Sequence, residues 1–191
     1  MIDKWAYLGH KLGECWVDPT SSLTYIHIPK NASSSVKGCI ASNRWQHSDT
    51  LIKNEQFLVI LRDPIDRWCS GIAQFQVNSN QLELNVTEVF EQITFDDHTE
   101  EQIYFLQDID LNKVTFIIVD NNFNTIFNKW LNERGYPSVA DTPRFNQSSG
   151  IKLELKQKYQ QLIDSNSDYM LQLKKHFAAD YELINKVKFY D

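Results

Sequence analysis

The chain has 191 residues, 42% of them hydrophobic and 13% aromatic, with 19 basic against 25 acidic side chains and a net charge of −6. That supplies enough apolar material for a single packed domain over residues 1–191 and argues against disorder. The acidic balance argues against a nucleic-acid binder, so an anionic ligand must be held by a local cluster of cations.

In chain order, residues 1–22 read as an irregular lead-in closed by the turn cluster Asp18-Pro-Thr-Ser-Ser22. Leu23 to Ile28 is rich in β-branched and aromatic residues and predicts a buried strand, ended by Pro29, which cannot donate to a ladder. Small residues after Asn31, then Val36, Cys39 and Ile40 at helical spacing, predict a tight turn into a helix that reaches about Asn43. Residues 44–56 are a polar connection. Phe57 to Leu61 is a continuous apolar run, the pattern of a strand buried on both faces of a parallel sheet. Helical patterns follow over 64–77, 87–94 and 99–107. Val114 to Val119 predicts a third buried strand, and 123–134 an amphipathic helix ending at Gly135. Residues 136–150 form a loop rich in Pro, Ser and Asn, and 152–187 is helical with a break near Ser165-Asn-Ser167. Strands alternating with helices predict an α/β domain, a three-layer sandwich around a central, mainly parallel sheet with right-handed crossovers.

No apolar run approaches the ~18 residues of a membrane span. Met1 to Leu12 lacks the apolar core of a signal peptide. Cys15, Cys39 and Cys69 are odd in number and widely spaced, which suits a reducing, cytoplasmic setting better than a disulfide framework.

Two loops carry the chemistry. In Ile28-Pro-Lys-Asn-Ala-Ser-Ser-Ser35 the strand-to-helix turn gathers hydroxyls and free backbone N–H groups at a helix N-terminus, with Lys30 at its mouth. The first-turn N–H groups lack intrahelical partners and the helix dipole favours an anion, so the turn reads as a phosphate or sulfate cradle. The alternative is a Ser-rich cap after an ordinary strand. A Walker A pattern is absent from the sequence, and Gly38 follows the lysine rather than preceding it. In Arg62-Asp-Pro-Ile-Asp-Arg-Trp-Cys-Ser70, Asp63 fits as N-cap, Pro64 as N1 and Asp66 as N3. Arg62 then stands at the carboxyl end of a strand, where open α/β sheets bind ligands, and Arg67 shares a helix face with Ser70. An arginine fork and a serine hydroxyl at the strand's carboxyl edge suit a phosphate; the alternative is a capped helix with a surface Arg–Asp pair.

Together the loops resemble the sulfotransferase family, most closely its carbohydrate sulfotransferase branch. Asp97-His-Thr-Glu-Glu-Gln102, Asn146-Gln-Ser-Ser149 and Ala179-Asp-Tyr-Glu-Leu183 are similar to further stretches of the family, in the same order. The resemblance implies a P-loop NTPase-like fold and 3′-phosphoadenosine 5′-phosphosulfate (PAPS) as sulfuryl donor, without a metal. It implies a hydroxyl-bearing acceptor, on a carbohydrate. The chain departs from the animal members, which carry a membrane anchor and a lumenal disulfide set, and looks like a minimal, soluble bacterial or viral version. By residue, it implies that Lys30 neutralises the leaving oxygen and that Asn31, Ala32, Ser33, Ser34 and Ser35 line the 5′ side. Arg62 and Ser70 would hold the 3′-phosphate, and Arg144, with Asn146 and Ser148, would close over the adenosine. Many family members carry glycine where this chain has Ala32 and Ser33, which narrows the backbone available here. His98 is the candidate base because histidine titrates near neutrality, with Glu101 and Glu100 as alternatives. Two other functions stay open: a P-loop-type small-molecule kinase and a nucleotide-binding protein without turnover.

Overall fold

In a computed structural model, which describes residues 14–43, 45–50, 54–136 and 150–191, the chain forms five strands and seven α-helices among the described residues. The strands are β1 (Cys15–Val17), β2 (Leu23–Ile26), β3 (Gln46–Ser48), β4 (Gln56–Leu61) and β5 (Val114–Ile118). The helices are α1 (Ser33–Ser42), α2 (Pro64–Asn78), α3 (Val86–Gln92), α4 (Phe123–Glu133), α5 (Ile151–Ser165), α6 (Ser167–His176) and α7 (Ala178–Lys186).

The three apolar runs are β2, β4 and β5, with β4 paired in parallel to both neighbours: Ile26 faces Val59, and Val59 faces Phe116. Their runs are continuous because both faces are covered, and successive residues alternate between the two cores. Leu23, Tyr25, Leu58, Ile60 and Ile117 point to a core closed by α1 and α4. Ile26, Ile28, Phe57, Val59, Leu61 and Phe116 point to the other, closed by a 3₁₀ turn over Gln102–Leu106 and by α7.

The expected mainly parallel, P-loop-like three-layer sandwich is corrected by the rest of the sheet. Its order is β3-β1-β2-β4-β5, and β1 runs antiparallel to both β2 and β3, so the sheet is open and mixed. The turn at Asp18 explains the reversal. Its carboxylate accepts from Thr20 N at 2.8 Å, Thr20 Oγ1 at 2.7 Å and Ser21 Oγ at 2.7 Å, folding the chain back so that Cys15 faces Ile26. β1 and β3 are three residues each, and β3 is the polar Gln46-His47-Ser48, so neither leaves a run in the sequence. They lie in stretches read as lead-in and connection.

The helices also depart from a layered plan. α2, α3, α5 and α6 share a core of their own, built on Trp68, Phe90, Tyr159, Ile163, Leu173 and Phe177 among others, to which no strand contributes a buried residue. Residues 99–107 hold the short 3₁₀ turn instead of a helix, and the C-terminal helical stretch breaks at Phe177 as well as at Asn166. Beyond β5, Phe189 bridges Phe116 and Tyr190 N donates to Phe116 O at 2.8 Å, covering the strand's outer edge. Among the described residues, no helix is long and apolar enough to cross a membrane.

Candidate functional site

Because β2 and β4 are parallel neighbours, the turns that leave their carboxyl ends are side by side. Pro29 ends the first strand's path, and Lys30 and Ala32 take left-handed φ values of 69° and 54°. Side chains at such positions cost about 1 kcal/mol or more each, so the strain sits in the turn that aims α1. Val36 N donates to Ala32 O at 3.0 Å as the first helical bond, so α1 starts directly out of the strained turn. No acidic side chain stands in that first turn. On the second strand, Asp63 caps α2 by accepting from Asp66 N at 2.8 Å, with Pro64 at its start.

Arg62 joins the two turns. Its NH1 donates to Lys30 O at 2.8 Å, and its Nε donates to Asp66 Oδ2 at 2.7 Å. Asp66 is shared, since Lys156 Nζ lies 2.6 Å from its other oxygen. The Arg–Asp surface pair weighed from sequence is therefore present, but it holds Arg62 beside the lysine turn. Ser70 Oγ donates back to Asp66 O at 3.1 Å.

Lys30 is mostly enclosed, and its ammonium pKa falls to about 8. Burial is the main cause; the charges of Lys152, Arg62 and Arg67 add to it, and Asp96 opposes them. Cations crowd Lys30, while Asp66 pairs with Arg62 and Lys156, and Asp96, Asp97, Glu100 and Asp180 offset the charge of Arg67.

The base candidates lie on the segment that abuts this turn, and a residue given no ligand role from sequence brings them there. Arg67 is fully buried; its Nε donates to Pro29 O at 3.0 Å, its NH2 to Asp97 O at 3.0 Å and its NH1 to Glu100 O. Its fork faces protein carbonyls, and burial lowers its pKa to about 10, so it stays charged at neutral pH. His98 Nδ1 sits 3.1 Å from Asp96 Oδ2 and 2.9 Å from Asp97 Oδ1, with its side chain 11% exposed. Glu100 is buried and its Oε1 accepts from Glu101 N at 3.2 Å; Glu101 leads into the 3₁₀ turn. Asp96, Asp97 and His98 offer three possible metal-ligand atoms within 4.8 Å of one another, but the imidazole nitrogen already contacts both carboxylates.

A second buried knot ties the turns from below. Asn31 Nδ2 donates to Ile60 O at 2.8 Å and to Gln102 Oε1 at 2.7 Å. Gln102 Oε1 also accepts from Arg62 N at 3.0 Å, and its Nε2 donates to Arg62 O at 2.9 Å. Asp180 completes it, accepting from Gln102 N at 2.9 Å and Ile103 N at 2.8 Å. Asn31, expected at the ligand, thus turns its side chain inward as a brace. Gln102 and Asp180 stood inside stretches noticed in the sequence, but their bracing role was not legible there. Lys152 and Lys156 were missed because an exposed helix face gives no sign of what lies opposite. Arg144, Asn146 and Ser148 lie outside the described residues.

Two predictions arise here. A Cβ on Gly71 would lie 2.7 Å from the carbonyl carbon of His98 and closer still to its oxygen. Gly71→Ala should therefore cost about 1–3 kcal/mol, although alanine is favoured by roughly 1 kcal/mol in an unhindered helix. A thermal melt that shows stabilisation would contradict the close packing of α2 on this segment. For His98, burial is the largest influence and lowers the pKa, but the hydrogen bonds and charges of Asp96 and Asp97 together outweigh it and raise it above 6.5. A raised folded-state pKa gives stability that is full below pH ~6.5 and lost as pH rises through the folded value. Urea midpoints should fall across that window in the wild type and not in His98→Gln; an unchanged slope in the variant would refute the pairing.

Comparison of the chain with protein-family models, with curated proteins and with solved structures finds no match.

Proposed function

We propose that the chain binds PAPS at the paired strand ends and transfers its sulfuryl group to an acceptor hydroxyl, on a carbohydrate. The observation that carries this reading is convergence. Asn31, Arg62, Gln102 and Asp180, from four separate stretches that resemble the sulfotransferases, meet in one buried hydrogen-bond network beneath the cationic turn. Local capping chemistry accounts for each loop alone but gives no reason for four distant stretches to share a single knot.

The donor set fits a polyanion. On this reading Lys30, Arg62 and the first turn of α1 would hold phosphate and sulfate oxygens, and an anion would relieve the repulsion that Arg62, Arg67 and Lys152 exert on Lys30. The donor supplies an activated sulfuryl group with a good anionic leaving group. Charge at Lys30 matters most as that leaving oxygen becomes anionic. With Asp96 and Asp97 on its Nδ1 side, His98 would accept the acceptor's proton at Nε2 on this reading. Cys15, Cys39 and Cys69 are buried and joined in no disulfide, which supports a reducing, cytoplasmic setting.

One observation favours a second reading, nucleotide binding without transfer: the imidazole is enclosed between two carboxylates. Incubation with ³⁵S-labelled PAPS and a panel of sugars, phenols and peptides separates the two. Label transferred to a sugar supports the sulfotransferase; tight nucleotide binding with no transfer to any acceptor supports the second reading.

A further inference from the structure

The guanidinium of Arg62 is oriented before any ligand arrives. Its Nε donates to Asp66 Oδ2 at 2.7 Å, its NH2 lies 2.5 Å from the same oxygen, and its NH1 donates to Lys30 O at 2.8 Å. Held through Nε and both terminal nitrogens, it keeps one N–H on each terminal nitrogen for a ligand. The other carboxylate oxygen of Asp66 lies 2.6 Å from Lys156 Nζ on α5, so Asp66 is clamped between two cations. Burial pushes the Asp66 carboxyl up, but the charges and hydrogen bonds of Arg62 and Lys156 outweigh it and hold it below the ordinary carboxylate range. An ionised carboxylate beside an anion site is unfavourable as a charge. Its geometry offsets that cost, because a free arginine would lose rotamer freedom on gripping a ligand and Asp66 has already imposed the loss. Lys156 cancels the charge that Asp66 would otherwise turn on the anion.

We propose that Asp66 is the positioning residue for Arg62: it fixes the guanidinium so that the remaining N–H groups meet the anion, with Lys156 as its counter-charge. Asp66 acts through Arg62 and not on the ligand. That the anion is a nucleotide phosphate rests on the PAPS reading above; the dependence of Arg62 on Asp66 does not.

The test is a double-mutant cycle, read by calorimetric titration of 3′-phosphoadenosine 5′-phosphate and separately of inorganic pyrophosphate. The proteins are the wild type, Asp66→Ala, Arg62→Ala and the double variant, each titrated below its unfolding transition. The sign of the effect decides. Removing a carboxylate beside an anion tightens binding if its charge is its whole contribution. Asp66→Ala should instead weaken nucleotide binding roughly fivefold or more, and in the Arg62→Ala background the same substitution should cost nothing or tighten binding. A purely structural role for Asp66 in the first turn of α2 would lower the unfolding midpoint without this dependence on Arg62. Should Asp66→Ala not fold, Asp66→Ser is judged by the same sign. Should Arg62→Ala bind too weakly to titrate, the sign in the wild-type background decides alone. Unchanged or tighter binding by Asp66→Ala, or equal weakening in both backgrounds, overturns the proposal and leaves the donor site standing. If the wild type does not bind the nucleotide, the PAPS reading falls and the pyrophosphate cycle decides. A loss of pyrophosphate binding through Asp66 that requires Arg62 supports the positioning role; a loss that does not, no loss, or no binding overturns it.

Discussion

Arg67→Met should lose about 3–5 kcal/mol of folding stability. The substitution keeps most of the aliphatic volume and removes the donors that bind Pro29 O, Asp97 O and Glu100 O. Three carbonyls would be left without their donor in a region closed to water, each at a cost of about 1–3 kcal/mol when nothing replaces it. Arg67→Lys should recover little of this, because a single ammonium cannot reproduce a planar fork directed at three acceptors. Because Arg67 joins the Lys30 turn to the 97–100 segment, nucleotide affinity should fall along with stability. Urea unfolding measures the first effect, and a loss below about 1 kcal/mol would show that these contacts do not organise the site.

Lys30→Met should behave in the opposite way, depressing the proposed sulfuryl transfer by roughly 10²–10³ while leaving the protein as stable as the wild type or more so at pH 7. Methionine retains the stem. The charge it removes is one that folding disfavours, since burial, Lys152, Arg62 and Arg67 bring the ammonium pKa to about 8 from an ordinary 10.5, with Asp96 opposing. The sign is set by linkage. Between pH 8 and 10.5 the unfolded chain binds the proton more tightly, so wild-type stability should rise with pH across that window, and the rise should be absent in Lys30→Met. Nucleotide affinity should move the other way and weaken above pH 8 as Lys30 loses its charge. A variant that is both less stable and fully active would make Lys30 a structural lysine.

The sequence made legible what is encoded locally. The runs at β2, β4 and β5 announce themselves because both of their faces are buried, and Asp63-Pro64 announces α2 because capping is a property of adjacent residues. β1 and β3 could not be read this way: three residues hold no period, and β1 exists because the Asp18 turn folds it onto β2. The segment 99–107 read as helical, but it holds only a short 3₁₀ turn over Gln102–Leu106, in which just Ile103 and Leu106 have the i,i+3 spacing of one helix face. In the site, Lys30 and Arg62 were legible from their loops. Arg67 was read as sharing a helix face with Ser70, but whether its fork meets a ligand or protein carbonyls depends on what packs opposite, which no local pattern states. The partners of Asn31, Gln102 and Asp180 lie 29 to 78 residues away along the chain and so needed the fold to be seen.

The account stands most directly on the unfolding midpoint measured with 3′-phosphoadenosine 5′-phosphate against that with ATP and magnesium. At a hundred times its Kd, the adenosine bisphosphate should stabilise the wild type by about 2.7 kcal/mol, with ATP–magnesium giving far less at equal concentration. The same addition should give little stabilisation to a Lys30→Met, Arg62→Ala double variant. No stabilisation of the wild type, or equal stabilisation of the double variant, would contradict a donor site at the paired ends of β2 and β4.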